Sequence, residues 1–310
     1  HRDLHSFPTR RSSDLHPMIL SANMNIGYIH EKKGDYENAL KYYLASIPEN
    51  DNNPSAIKTF SNLASLYYAM NDTEKAADYY NKAINLAINL LGPDHPETGL
   101  LYTRYGYFQL NEAIGDLGIG MFRKALAISE THYGPASREV SNNLTHIGNY
   151  YLINNQPGKA LEFYQNAIIA ITPGFTDVSP YSNPSPGQLI PDRYLINTLN
   201  AKADALYLQA SANPDEKILE LCLGTYKLSV KVVDKLRSSY LNEESKFLLS
   251  GDERNSYLNT VKVATKLYQL TGKKEYLEEG FLYSDKGKST VLLSSMQDVE
   301  ARQYGGRSEE

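Results

Sequence analysis

The sequence is poorest in what would cross-link, anchor or activate it. One cysteine, Cys222, stands among 310 residues, so no intrachain disulfide can form. It lies among Leu219, Leu221, Leu223 and Tyr226 in a predicted helix, where it reads as a buried structural thiol. No apolar run approaches the length of a membrane span. Basic residues number 31 against 36 acidic, a net charge of −5, so the basic stripe that general nucleic-acid binding requires is missing. The seven histidines are scattered, with no pair at metal-ligand spacing on one helix face, and neither a metal nor a cofactor is expected. KGKST, from Lys286 to Thr290, is not a phosphate loop: Leu282 stands where that motif needs glycine, and no strand precedes it. It reads as a solvated helix face exposing Lys286 and Lys288. No catalytic constellation emerges, and the chain is read as a non-enzyme. Tryptophan is absent while tyrosine numbers 25, rings suited to filling gaps between helices.

What is present is a repeat. From Thr59 to Pro96, Leu63, Ala64 and Tyr67 share one face of a first predicted helix, and Ala76, Tyr80 and Ala83 share one face of a second. Small residues stand where two helices approach closely, and large ones fill the space beside them. The same spacing recurs at Ile26, Gly27 and His30 with Ala39, Tyr43 and Ser46; at Tyr105, Gly106 and Gln109 with Gly118, Phe122 and Ala125; and at Ile147, Gly148 and Tyr151 with Ala160, Tyr164 and Ala167. In all four units the first small residue precedes the second by 12 positions, and the units start at intervals of 37, 42 and 42 (27, 64, 106, 148).

This pattern resembles the tetratricopeptide repeat, a helix-turn-helix unit of about 34 residues. The longer unit, with its connector LGPDHPE from Leu91 to Glu97 and a weaker echo in HYGPASRE from His132 to Glu139, is similar to the kinesin-light-chain variety. The resemblance covers roughly residues 20–172 and implies an all-α fold, a right-handed α-solenoid of helical hairpins. Gly118 departs from the usual alanine. With Gly115 and Gly120 it lowers helix propensity by about 1 kcal/mol per glycine, so the third unit is expected to be the softest.

The expected organisation is four repeats over 16–171, a Pro-rich segment over 172–192 and two degenerate hairpins over 193–306. Thr172 to Asp192 holds five prolines and two glycines, and no helix runs through it. It is either an ordered loop over the array or a linker between sub-domains. Beyond it, Arg193 to Ala210 pairs with Glu216 to Tyr240, and Asn255 to Leu270 with Glu275 to Met296. Leu199, Ala203, Leu206, Leu219, Leu223, Val261, Ala264, Leu267, Leu277 and Phe281 keep helical spacing there. LINTLNAKADAL, VVDKLRSSYLNEESKFLL and LYQLTGKKEYLEEGFLYSDKGKSTVLLSSM resemble the region that joins such repeats to the peptidase domain of CHAT proteins, bacterial caspase-like cysteine peptidases. Gly280 and Asp285 stand where that family usually has alanine and glutamate, and Cys222 matches neither catalytic position. HSFPTRRSSDL, from His5 to Leu15, and RSEE, from Arg307 to Glu310, resemble translated sequencing adaptor, so 1–15 is expected to be adaptor-derived and disordered and 307–310 adaptor-derived.

Function is expected on the inner face of the array, at first-helix positions offset from the packing residues: Asn25 and Tyr28; Lys58 and Asn62; Arg104 and Tyr107; Asn142, His146 and Asn149. The line through Asn25, Asn62, Arg104 and His146 reads either as a groove for a protein or peptide partner or as a solvated face. Tetratricopeptide proteins that clamp a peptide's C-terminal carboxylate use Lys, Asn and Arg in such places. Lys58, Asn62 and Arg104 match in type, while the first unit has Met24 where a further Lys is expected. The expected role is a protein- or peptide-binding scaffold, the regulatory repeat region of a larger CHAT-type peptidase. The alternatives are the repeat region of a sensor kinase or transcription regulator, or a self-association module.

Overall fold

The computed structural model describes residues 12–50, 52–112, 115–239 and 250–288. The chain is all-α, with no strand among the described residues. It divides into two compact units, residues 1–128 and 129–310.

The first unit is built from α1 (Ser12–Lys32), α2 (Tyr36–Ala45), α3 (Pro54–Ala69), α4 (Thr73–Leu91), α5 (Pro96–Asn111) and most of α6 (Gly115–Tyr133), inside which the division falls. Helix α1 includes residues 12–15, which sequence composition had assigned to a disordered tail, and accommodates Pro17 near its start. The helices pack as consecutive hairpins, α1 on α2 and α3 on α4, and each hairpin leans on the next through α2 on α3 and α4 on α5. Capping starts each helix where the sequence breaks. Asp35 accepts from the Asn38 amide, Asn53 from Ser55, and Asp72 from Lys75. In the LGPDHPE connector, His95 Nδ1 accepts from the Glu97 amide at 3.2 Å, and Pro96 takes the first helical position, where an N–H is dispensable.

The third hairpin shows why its glycine is not alanine. A Cβ on Gly118 would lie 2.9 Å from the Gly106 carbonyl oxygen and 3.3 Å from the Leu110 amide nitrogen, so α5 and α6 touch backbone to backbone there. The helix propensity given up at Gly118 permits that approach.

The second unit contains α7 (Arg138–Ile153), α8 (Pro157–Ile171), α9 (Arg193–Ala212), α10 (Glu216–Ser239), α11 (Ser250–Thr271) and the helical residues 274–288. Its hairpins pack α7 on α8 and α9 on α10, with α9 against α8 and α11 against α10. Hydroxyls and an amide tie the first helices side by side: Thr145 Oγ1 lies 2.8 Å from Thr198 Oγ1, and Asn200 Nδ2 donates to Ser256 Oγ at 3.0 Å.

Residues 172–192 form no helix, yet they are packed down on this unit. Phe175 and Leu189 are buried among Ile168, Ile171, Leu195, Ile196, Leu199, Val232 and Val233. Asp192 ends the segment buried, caps α9 by accepting from the Tyr194 amide at 2.8 Å, and pairs with Arg138. In the last helix, Tyr276, Gly280 and Tyr283 turn inward, whereas Leu277 and Phe281 are exposed.

Candidate protein-binding face

One side chain recurs through both units. Four residues after the small residue of the second helix comes Tyr43, Tyr80, Tyr164 or Tyr226, with Phe122 in the third hairpin. The ring fills the space over the small residue of the first helix, and the hydroxyl passes the contact to reach a polar group on that helix. Tyr43 lies against Gly27 and donates to Glu31 Oε2 at 2.7 Å. Tyr80 meets Ser65 Oγ at 3.2 Å, Tyr164 donates to Asn149 Oδ1 at 2.7 Å, and Tyr226 donates to Asp204. Burial, reinforced at Tyr43 by the Glu31 carboxylate, raises the pKa of all four phenols, so they remain neutral donors.

In the first unit this arrangement builds a polar cluster around Arg104. Its Nη1 donates to Ser61 Oγ at 3.0 Å, bridging α5 to α3. Its charge also opposes the rise in pKa of both Tyr43 and Tyr80, which places it within electrostatic reach of the two hydroxyls. Arg104 is half-buried, and its one hydrogen-bond partner among the described residues is a neutral hydroxyl, which leaves most of the guanidinium fork unsatisfied. Asn62 is half-buried on α3 next in sequence to Ser61, Lys58 is exposed one turn earlier on α3, and Tyr28 and Tyr107 are exposed on α1 and α5. Asn25 is exposed on α1. Met24, found where a clamp has lysine, lines a cleft of about 690 Å³ together with Leu20, Pro48, Pro54 and Lys58.

The remaining expected residues belong to the second unit. Asn142 is half-buried on α7. Protein packed around the His146 imidazole holds its pKa down to about 4, because burial disfavours the charged ring. Asn149 is the departure: its side-chain oxygen accepts the Tyr164 hydroxyl and so holds its own hairpin together. Reasoning from helix faces missed Glu31, Ser61 and Ser65. The tyrosine register carried a usable signal for Glu31 and Ser65, since each lies on the first helix within reach of a hydroxyl.

Sequence reading also passed over Lys202. It is fully buried on α9, and its ammonium donates to Gln165 Oε1 at 2.7 Å, to Asn183 Oδ1 at 3.1 Å and to the Ser182 carbonyl. Burial pulls its pKa down to about 7, partly offset by Asp177. Gln165 Nε2 donates in turn to Ser182 Oγ at 3.0 Å and to the Asp177 carbonyl. Lys235 Nζ holds the Leu189 carbonyl at 2.7 Å and that of Pro186 at 3.1 Å. Two lysines thus pin the Pro-rich segment to α9 and α10.

Among the described residues no group of histidine, cysteine and carboxylate side chains could hold a metal ion, and no helix is long and apolar enough to cross a membrane. Cys222 is buried, donates to the Ala203 carbonyl at 3.2 Å, and has its thiol pKa raised by burial, all of which suppress thiolate chemistry.

Consecutive helical hairpins with small residues at the crossing points define a tetratricopeptide-type α-solenoid. The family described as Tetratricopeptide repeat matches residues 18–89 and 55–108. The BtubC (BKLC) structure from P. vanneervenii superposes with a TM-score of 0.57 at 13% identity, over 74% of this chain and 86% of that one. A putative kinesin light chain from Podosopora anserina, with nearly identical TPR-like repeats, gives 0.53 at 12% identity, over 68% and 96%. Among curated sequences, the Clustered mitochondria protein homolog of Meyerozyma guilliermondii is 26% identical over 148 residues, 45% of this chain and 12% of that protein. The Photosystem I assembly protein Ycf3 of Rippkaea orientalis is 37% identical over 79 residues, 21% of this chain and 44% of that protein. The chain therefore spans less than half the length of these curated relatives. Tetratricopeptide repeats are protein-interaction modules, and the match lies within residues 18–108 of this chain.

Proposed function

We propose that the chain binds an extended peptide segment of a partner protein along the first helices of its first unit, with Arg104 at the centre of the contact. The observation that carries this is the half-buried Arg104 guanidinium, anchored through Ser61, in a unit whose first helices also carry Asn62, Lys58, Tyr28 and Tyr107 at solvent-accessible positions. A planar guanidinium suits peptide carbonyl or carboxylate oxygens, the Asn62 amide can pair with a main-chain amide, and the exposed rings offer apolar contact at low entropic cost. Asn25 extends this face within the first unit, and Asn142 and His146 are first-helix candidates of the second unit taken by itself. Because the helices are preformed, little ordering free energy opposes binding.

The test is a peptide selected against the intact chain from a display library, then titrated against wild type and the double variant Asn62→Ala/Arg104→Ala. The expected loss is at least about tenfold in affinity, with the helical circular dichroism unchanged. Equal affinity would move the binding surface elsewhere.

The resemblance of residues 172–300 to the connecting region of CHAT proteins supports a role as the regulatory repeat region of a CHAT-type peptidase. Similarity to a photosystem assembly protein supports a different use of the same face, holding a partner during assembly. Sequencing of the intact gene decides between them. A downstream caspase-like segment with a histidine and a later cysteine is the first outcome, and its absence leaves the assembly reading.

A further inference from the structure

Within each unit, the second helix of one hairpin is covered by the first helix of the next. On α10, Leu219 and Leu223 stand three residues before and one residue after Cys222, the small residue that meets α9. They are 1% and 4% exposed, packed with Val263, Ala264 and Leu267 of α11. In the last helix Gly280 takes the small-residue place: a Cβ there would meet Ala264 at 3.6 Å. Leu277 and Phe281 stand three residues before it and one after it, the register of Leu219 and Leu223, yet they are 50% and 75% exposed.

The complementary face lies on α1. Leu66 and Phe108, two residues after Ala64 and Gly106, are 0% and 4% exposed. Phe108 packs against Tyr80 of the preceding second helix, with ring centroids 5.6 Å apart. Ile29 holds that register after Gly27 and is 51% exposed, and Ile19 is exposed as well.

We propose that these are the two halves of one stacking interface, and that a second copy of the chain joins them: α1 of one copy docks against residues 274–288 of the next. The flanking charges agree. Lys32 and Lys33 follow Ile29, whereas Glu275 and Glu278 flank Leu277, all four exposed. Glu278 also stands in the register of Glu220, which accepts the Tyr276 hydroxyl of the following hairpin at 2.5 Å. Joining two different faces is heterologous, so copies add head to tail, into a ring where the rotation closes and an open chain where it does not.

Sedimentation of the full chain from about 1 µM to about 1 mM tests this, a range that captures weak self-association. The mass should climb above that of the monomer with concentration. Ile29→Glu and Phe281→Glu should each be monomeric with wild-type helical circular dichroism, since each has lost one face. Mixed in equal amounts they should form a one-to-one dimer and nothing larger, because each supplies the face the other lacks. Leu277→Glu replaces Phe281→Glu if the latter loses helicity. A wild-type chain that stays monomeric throughout, or a mixture that does, overturns the proposal and assigns the two faces to further hairpins of a longer protein.

Discussion

The two units each hold a cationic side chain among neutral oxygens, and they finish the arrangement differently. In the first, Arg104 of α5 bonds Ser61 of α3 and stays partly accessible. In the second, a Pro-rich segment folds over Lys202, saturates its ammonium with oxygens from the segment and from Gln165, and removes it from water. The repeat places a polar group in both. What covers that group decides whether it holds the fold together or meets a partner, since a buried charge must be satisfied internally while a half-exposed one keeps capacity for a ligand.

Removing the pin tests the comparison most severely. Lys202→Ala should lower the unfolding free energy by roughly 3–5 kcal/mol, from the emptied volume and the buried oxygens left without a donor. Urea denaturation measures the loss, and faster proteolysis within 172–192 would place it. Arg104→Ala should cost less than about 1 kcal/mol of stability, because its lost partner is a single neutral hydroxyl. Equal costs would erase the distinction between pin and contact.

Acid gives the next effect. His146 has a folded pKa near 4 against an ordinary 6.5, so the unfolded chain takes up the proton first. The stability associated with the neutral ring is present above pH 6.5, falls as pH drops through that window, and is lost near pH 4. The expected loss is about 2–3 kcal/mol, and His146→Gln should flatten that part of the pH profile. A profile unchanged by the substitution would remove His146 from the buried group.

The third hairpin supplies the smallest and most discriminating pair. Gly118→Ala should destabilise by about 1–3 kcal/mol despite its better helix propensity, because the new Cβ meets the Gly106 carbonyl. Gly120 has nothing within 4 Å of an added Cβ, and Gly120→Ala should stabilise by up to about 1 kcal/mol. Thermal melts that moved in the same direction for both would reject the close approach of α5 and α6.

Most of the helix and turn positions were legible because they depend on near neighbours. The small residues spaced by 12, the apolar faces and the breakers in LGPDHPE and HYGPASRE are properties of the chain within a hairpin's length, and helix periodicity converts them into packing faces. The same reasoning found Lys58, Asn62, Arg104, Tyr28 and Tyr107 on first helices. It was incomplete where a side chain's contacts depend on a distant partner. For Asn149, read as a ligand-facing residue, it missed that a hydroxyl 15 positions later donates to its oxygen. Leu277 and Phe281 kept core spacing on a helix whose inward face is Tyr276, Gly280 and Tyr283.

Sequence by itself determined an all-α chain of repeating hairpins and the candidate first-helix face, since helix formation and amphipathic spacing are local. Tertiary structure alone decided that Lys202 is a buried pin, that Gly118 is a contact and that Arg104 is held by Ser61. Each rests on atoms brought together from separate segments, as when Arg104 reaches a hydroxyl 43 residues earlier, and no local pattern records which of two equally plausible faces another segment will cover.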